Sequence, residues 1–179
     1  MPDLLCDTLT PQLQGVRLLV FDVDGVLTDG ALLLDDDGRQ YKAFNSKDGL
    51  GMSLLLKTGI KIAIVTARNS RVVSHRMREL GIALVVQGQH DKKTALLSLL
   101  AQLDVSPQHT AFVGDDLVDL PAMRSVALAI AVADAHPLVR QHAHWVTEAP
   151  GGKGAAREIC EAMMQAQGTF EQAIAPYLV

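Results

Sequence analysis

Leu18-Leu19-Val20-Phe21-Asp22-Val23-Asp24-Gly25-Val26 decides how the rest of the chain is read. Four consecutive apolar residues predict a short strand buried on both faces, as in a parallel sheet covered by helices. Two carboxylates follow where the chain leaves the sheet's carboxyl edge, the place where open α/β sheets bind ligands. Side chains two apart in an extended exit point the same way, so Asp22 and Asp24 can face one reacting centre. One can attack while the other shuttles a proton. Gly25 permits a sharp turn that a Cβ would resist. Standing alone, the pair would read as two solvated acids in a polar loop.

The same rhythm continues outward. Short apolar runs predict further strands at Leu84–Gln87, Lys61–Val65, Thr110–Val113 and Leu128–Ala131, and amphipathic stretches predict helices at Asp48–Lys57, Arg71–Leu80, Lys92–Leu103 and Leu117–Arg124. Gly81 is a good C-terminal stop. The expected fold is α/β, a doubly wound parallel sheet. Gly30 to Phe44 interrupts it: apolar Ala31–Leu34, an Asp35-Asp36-Asp37-Gly38 turn and Tyr41–Phe44 predict a β-hairpin inserted after the first strand. The acid triplet lacks the spacing and distant Glu of a calcium loop, so it reads as a solvated turn. Gly151-Gly152-Lys153-Gly154 reads as a flexible hinge into a last helix at about Ala155–Gln167.

With 179 residues, 49% apolar and 20% charged, the chain fits one domain spanning 1–179. Its longest apolar run, Val126–Ala133, is far short of the ~20 residues needed to cross a bilayer, so no membrane segment is expected. The first residues carry Asp3 and Asp7 and no apolar stretch, which argues against a signal peptide and for a cytoplasmic protein. Cys6 and Cys160 are far apart and in no zinc or disulfide pattern. A net charge of −4, with one Trp, two Tyr and four Phe, supplies no electrostatic and stacking footprint for nucleic acid. A small-molecule substrate is expected.

A second acidic stretch, Gly114-Asp115-Asp116-Leu117-Val118-Asp119, follows another apolar strand and brings Asp115 to the same edge, with Asp119 one helical turn later. Clustered carboxylates repel unless a cation sits among them, and hard oxygen ligands suit Mg²⁺. Two other strand ends supply Thr66 and Lys92. A hydroxyl and an ammonium are what a transferring phosphoryl group needs for hydrogen bonding and charge neutralisation. Singly, Thr66 reads as a helix cap and Lys92 as a surface charge; four signals at four strand ends make coincidence a poor account.

In this order, DVDGV, Thr66, Lys92 and GDDLVD resemble the four motifs of the haloacid dehalogenase-like phosphatase superfamily. The resemblance implies that Asp22 is the nucleophile, forming an aspartyl phosphate, and that Asp24 protonates the leaving alkoxide and then activates water. It implies Mg²⁺ held by Asp22, the Asp24 carbonyl and Asp115, with Asp119 nearby or joining through water, and phosphoryl oxygens bound by Thr66 and Lys92. Nearly the whole chain is similar to the 3-deoxy-D-manno-octulosonate 8-phosphate phosphatase family, through DVDGVLTDG, KAFNSKDGLG, GDDLVDLPAM, AVADAHP and GGKGAAREIC. That family is capless, forms homotetramers through its hairpins and serves lipopolysaccharide precursor synthesis. Many members have Val-Arg where this chain has Ser46-Lys47, and Lys47 keeps the charge without the bidentate geometry. Arg68, beside Thr66, reads as a surface charge or, from its loop position at the carboxyl edge, as a substrate contact; the tail cations Lys153 and Arg157 read as an ordinary charged helix start or, as the resemblance implies, as contacts reaching a neighbouring subunit's cleft.

Other readings remain beside this one. A phosphoacceptor receiver domain also uses acids, a Thr and a Lys on a doubly wound sheet, but its acid pair comes first, whereas Asp115-Asp116 comes last here. A phosphatase for another 2-keto-sugar acid phosphate, of the nonulosonate 9-phosphate type, stays open. So does a non-catalytic oligomerisation module, against which the intact Asp22 and Asp24 argue. The six histidines show no helical zinc spacing and read as surface or capping residues, with His90 the one worth a test because it lies near Lys92. Trp145 reads as a core or interface residue.

Overall fold

The computed structural model describes residues 9–179; Asp3, Cys6 and Asp7 lie outside them. In chain order the elements are α1 (Leu9–Gly15), β1 (Leu18–Phe21), β2 (Leu33–Leu34), β3 (Gln40–Tyr41), α2 (Ser46–Lys57), β4 (Lys61–Val65), α3 (Arg71–Glu79), β5 (Leu84–Val86), α4 (Lys92–Leu103), β6 (Thr110–Gly114), α5 (Leu120–Met123), β7 (Leu128–Ala131), α6 (Pro137–His142), β8 (Trp145–Val146), α7 (Ala155–Ala166) and α8 (Phe170–Ile174). Among the described residues no helix is long and apolar enough to cross a membrane.

Strand β1 has every side chain buried and sits in the middle of a six-stranded parallel sheet of order β5-β4-β1-β6-β7-β8. Phe21, the last residue of β1, lies level with Ile64 of β4 and with Val113 of β6, so the three strands end within one residue of one another. The chain runs from β1 to one side through β4 and β5, then crosses back to β6 on the other. That reversal flanks β1 and opens a crevice at its carboxyl end. Helix α2 packs on α7, which also holds α1, while α4 packs on α5. The fold is the expected capless α/β sheet, and the inserted hairpin is the separate pair β2–β3.

The segments that escape sequence reading are short. Strand β8 is two residues at the sheet's edge, too few to show a period. In α6 only Val139 is buried, and α1 offers just Leu9 and Leu13 to the core. Within the expected helix at Leu117–Arg124, the first residues form a 3₁₀ turn (Leu117–Asp119) and the α-helix begins only at Leu120, with Pro121 in its first turn. The hairpin strands are two residues each and leave Leu33, Leu34 and Tyr41 exposed.

Asp48, buried in the first turn of α2, fastens that helix to α7. It accepts the backbone N–H of Gly154 at 3.3 Å and of Arg157 at 2.8 Å. Gly154 precedes α7 and has no side chain with which to cap it, so the acceptor comes from another helix. Burial raises the Asp48 pKa above the ordinary carboxylate value, while the Arg157 and Gly154 N–H groups pull it down.

Asp48→Ala should therefore lower the unfolding free energy in urea by about 2 kcal/mol, the worth of hydrogen bonds to a charged acceptor. An unchanged midpoint would show that α2 and α7 hold each other without it. The raised folded-state pKa also fixes a sign. The folded chain binds this proton more tightly than the unfolded chain, so ionising Asp48 erodes stability as pH rises from about 4. The stability difference between wild type and Asp48→Asn should shift toward the variant as pH rises above about 4.

Candidate active site

Because β1, β4 and β6 end within one residue of one another, Asp22, Thr66 and Asp115 emerge at the same edge. Asp22 N–H donates to Val113 O at 3.1 Å and Thr66 N–H to Val86 O at 3.0 Å, extending the sheet's ladder to these residues. Lys92, the first residue of α4, has a side chain only 2% exposed and reaches Asp22 Oδ2 at 2.8 Å and Asp119 Oδ1 at 2.6 Å. The other Asp119 oxygen accepts the backbone N–H of Asp115 at 3.0 Å and of Asp116 at 3.2 Å. Asp119 thus stands behind the cluster and fixes the turn that aims Asp115. Asp116 faces solvent and caps the 3₁₀ turn through Leu117 N–H at 2.7 Å.

Electrostatics in this cluster are unbalanced. Oxygens of Asp22, Asp115 and Asp119 lie within 4.8 Å of one another. Burial, then the Asp119 charge, raises the Asp22 pKa to about 6 even though Lys92 opposes the shift. Burial, then the charges of Asp119 and Asp22, raises that of Asp115 to about 8. For Lys92, burial works against the ammonium, but Asp22 and Asp119 outweigh it and its pKa is raised. Asp22 Oδ1 and Asp115 Oδ1 are buried with no hydrogen-bond partner among the described residues. Unpaired buried carboxylate oxygens beside a third acid fit a hard divalent cation, which would reverse both carboxylate shifts.

These groups open on a cavity of about 300 Å³ walled by Asp22, Asp24, Thr66, Arg68, Lys92 and Asp115. A larger groove, of about 690 Å³, lies at the sheet's opposite edge by Arg17, Lys61 and His109 and has no such acid cluster. Arg68 is 48% exposed, with Nε 3.8 Å from Asp24 Oδ2. Lys47 and Lys153 are exposed and outside the cavity wall; the Arg157 side chain pairs with Glu161 at 2.5 Å. His90 is exposed and likewise absent from the wall. His136 caps α6, accepting Leu138 N–H, as a capping reading of the histidines expects.

The glycine-rich segment departs from its reading as a flexible hinge. Gly151 N–H donates to Asp134 Oδ1 at 2.9 Å, Gly152 N–H to Val26 O at 2.9 Å, and Asn45 Nδ2 to Gly152 O at 3.3 Å. A Cβ on Gly151 would overlap the Gly25 carbonyl oxygen. The glycines are there so that this segment can lie flat against the Asp24–Gly25 turn and brace it. Gly25, at φ +90°, leaves room for the Asp115 carboxylate, which a Cβ would displace. Sequence reading also missed Lys42, whose ammonium pairs with Asp24 Oδ1. Its signal was alternation after the hairpin turn: Gln40, Lys42 and Phe44 are half-buried while Tyr41 and Ala43 are exposed.

The family model for haloacid dehalogenase-like hydrolases matches residues 81–159. The chain is 45% identical over 160 residues to the 3-deoxy-D-manno-octulosonate 8-phosphate phosphatase of Salmonella typhi, covering 89% of this chain and 85% of that protein. The solved structure of the Yersinia pestis 3-deoxy-D-manno-octulosonate 8-phosphate phosphatase has a TM-score of 0.91 at 43% identity, covering 93% of this chain and 90% of that one. That of the Moraxella catarrhalis phosphatase of the same name, in complex with magnesium ion, phosphate ion and a KDO molecule, has a TM-score of 0.94 at 39% identity, covering 97% and 99%.

Calorimetric titration with Mg²⁺ separates the neighbouring acids. Asp115→Ala should weaken binding by at least about tenfold, whereas Asp116→Ala should bind normally and lose about 1 kcal/mol of stability with its cap. Equal losses of affinity would mean that the turn after β6 aims both carboxylates at the ion.

Proposed function

The chain belongs to the 3-deoxy-D-manno-octulosonate 8-phosphate phosphatase family of haloacid dehalogenase-like hydrolases, and from that membership we propose that it hydrolyses 3-deoxy-D-manno-octulosonate 8-phosphate to the sugar acid and phosphate, with Mg²⁺ as cofactor. The observation that carries the reading is the Asp22 carboxylate. It is buried at the crevice, with one oxygen on Lys92 and the other unpaired, and it shares a cavity with Asp24 and Thr66.

In this mechanism Asp22 attacks phosphorus, the bond to the sugar oxygen breaks, and Asp24 gives its proton to the leaving alkoxide. Asp24, now a carboxylate, takes a proton from the water that attacks the aspartyl phosphate, releasing phosphate and restoring Asp22. Thr66 and Lys92 hold the phosphoryl oxygens, and the Lys92 ammonium offsets charge on the group in transfer. Asp22, the Asp24 carbonyl and Asp115, with Asp119 behind them, would hold Mg²⁺, which would supply the remaining charge neutralisation. Arg68, at the rim, is the candidate contact for the sugar acid.

The wider proposal is a cytoplasmic enzyme of lipopolysaccharide precursor synthesis, one domain over 1–179, working as a homotetramer. Exposed Leu32, Leu33, Leu34 and Tyr41 on the hairpin support burial between subunits. A capless crevice is open to water, and Lys47 and Lys153, exposed and outside their own chain's cavity, are left to act in a neighbour's, whereas Arg157 would first have to leave Glu161. Because Ser46-Lys47 stands where many family members have Val-Arg, a nonulosonate 9-phosphate is run as a second substrate in the same screen.

Phosphate release from 3-deoxy-D-manno-octulosonate 8-phosphate should require Mg²⁺ and vanish with EDTA. Asp22→Asn should abolish it, because the amide cannot attack; substantial turnover by that variant would end the covalent mechanism. Light scattering should give four times the 19.2 kDa chain mass for wild type and a smaller species for Leu34→Glu. An active wild-type monomer would remove the shared-site arrangement.

A further inference from the structure

Lys42 is buried in a way the proposed steps leave unused. It directly follows β3, and its side chain is 3% exposed. A lysine ammonium is almost never so enclosed without a partner. Among the described residues its only hydrogen-bond or ion-pair partner is Asp24 Oδ1. The other Asp24 oxygen has no comparable hold: Arg68 Nε stands 3.8 Å from Oδ2, beyond hydrogen-bond range, on a half-exposed side chain. One oxygen of the carboxylate is therefore pinned from the hairpin side and the other is left toward the cavity.

We propose that Lys42 is a positioning residue for acid–base chemistry: by holding Oδ1 it turns Oδ2 of Asp24 toward the scissile ester, so that Oδ2 is the oxygen that gives the proton to the alkoxide and later takes one from water. This rests on the roles given to Asp22 and Asp24 above. The terminal torsion of an aspartate is broad, so an unheld carboxylate spreads over many orientations. Proton transfer needs a reach of about 2.6–3.2 Å, and a misplacement of about 1 Å can cost ~10²-fold. The ion pair also links the hairpin to the reaction, since Tyr41, next to Lys42, is on the exposed face with Leu33 and Leu34.

The test compares Lys42→Met, of similar length and uncharged, and Lys42→Arg with wild type in the Mg²⁺-loaded full chain. Each is assayed on the sugar acid 8-phosphate and on p-nitrophenyl phosphate by stopped flow. For the sugar ester, Lys42→Met should lower kcat on the order of 10²-fold with KM within about threefold, and Lys42→Arg should recover most of that loss. With p-nitrophenyl phosphate, whose leaving group needs no proton, the variant should still release a burst of about one nitrophenolate per site and then turn over slowly, because water attack still needs the base. A burst lost along with turnover would overturn the proposal and make Lys42 a support of Asp22 or of the fold. A raised KM for the sugar acid with kcat intact would overturn it in favour of direct substrate binding, and wild-type kinetics would overturn it outright. If Lys42→Met melts early, Lys42→Leu, which also has no donor for Oδ1, is read on the same criteria. Wild type and Asp22→Asn run alongside: a wild type without phosphatase activity, or an active Asp22→Asn, overturns the underlying reading and this one with it. Failure of the Lys42 variants alone leaves the phosphatase reading standing.

Discussion

Three carboxylates crowd the carboxyl edge of the sheet, and one buried ammonium stands against them. Asp22, Asp115 and Asp119 carry three formal negative charges when ionised and Lys92 carries one positive charge, so the cluster falls short by two. Removing one partner from a buried pair typically costs about 3–5 kcal/mol, because the other charge is left uncompensated. Burial first, and this deficit after it, raise the Asp22 pKa to about 6 and that of Asp115 to about 8. The deficit also equals the charge of one divalent ion. The same contacts do structural work: Lys92 begins α4, so its bonds tie the start of that helix to β1 and to the turn after β6.

Lys92 is held in place by groups 27 or more residues away, and such distances mark the boundary of what the sequence makes legible. Leu18–Phe21, Lys61–Val65, Leu128–Ala131 and Lys92–Leu103 are read with their observed bounds because each element's own residues carry its pattern. Asp22, Thr66, Lys92 and Asp115 are readable for the same reason: each sits just past a strand or opens a helix, and a parallel sheet delivers all such positions to one edge. Lys42 and Asp48 are not readable this way. Their partners are 18 residues away for Lys42 and up to 109 for Asp48, and a charge just past a two-residue strand has no periodic background against which to stand out. The glycines at 151–154 were misread because composition reports freedom of the backbone but not what lies against it.

Close approach is the steric counterpart of the crowded charge. A Cβ on Gly25 would displace Asp115, one on Gly114 would come within 2.5 Å of the Asp119 Cβ, and one on Gly151 would overlap the Gly25 carbonyl. Each glycine lets a backbone or carboxylate occupy space that any other residue would fill. The Asp24–Gly25 turn is consequently held on several sides: by Asp22 N–H on β6, by Gly152 N–H on Val26 O, and by the Lys42 ammonium on the Asp24 side chain. Only the side facing the cavity is open. A carboxylate set on so sharp a turn would wander if the turn were free. Backbone packed against it from the C-terminal segment, and charge from the hairpin, brace this half-buried turn, and the proton transfer proposed for Asp24, over a hydrogen-bond distance, requires that bracing.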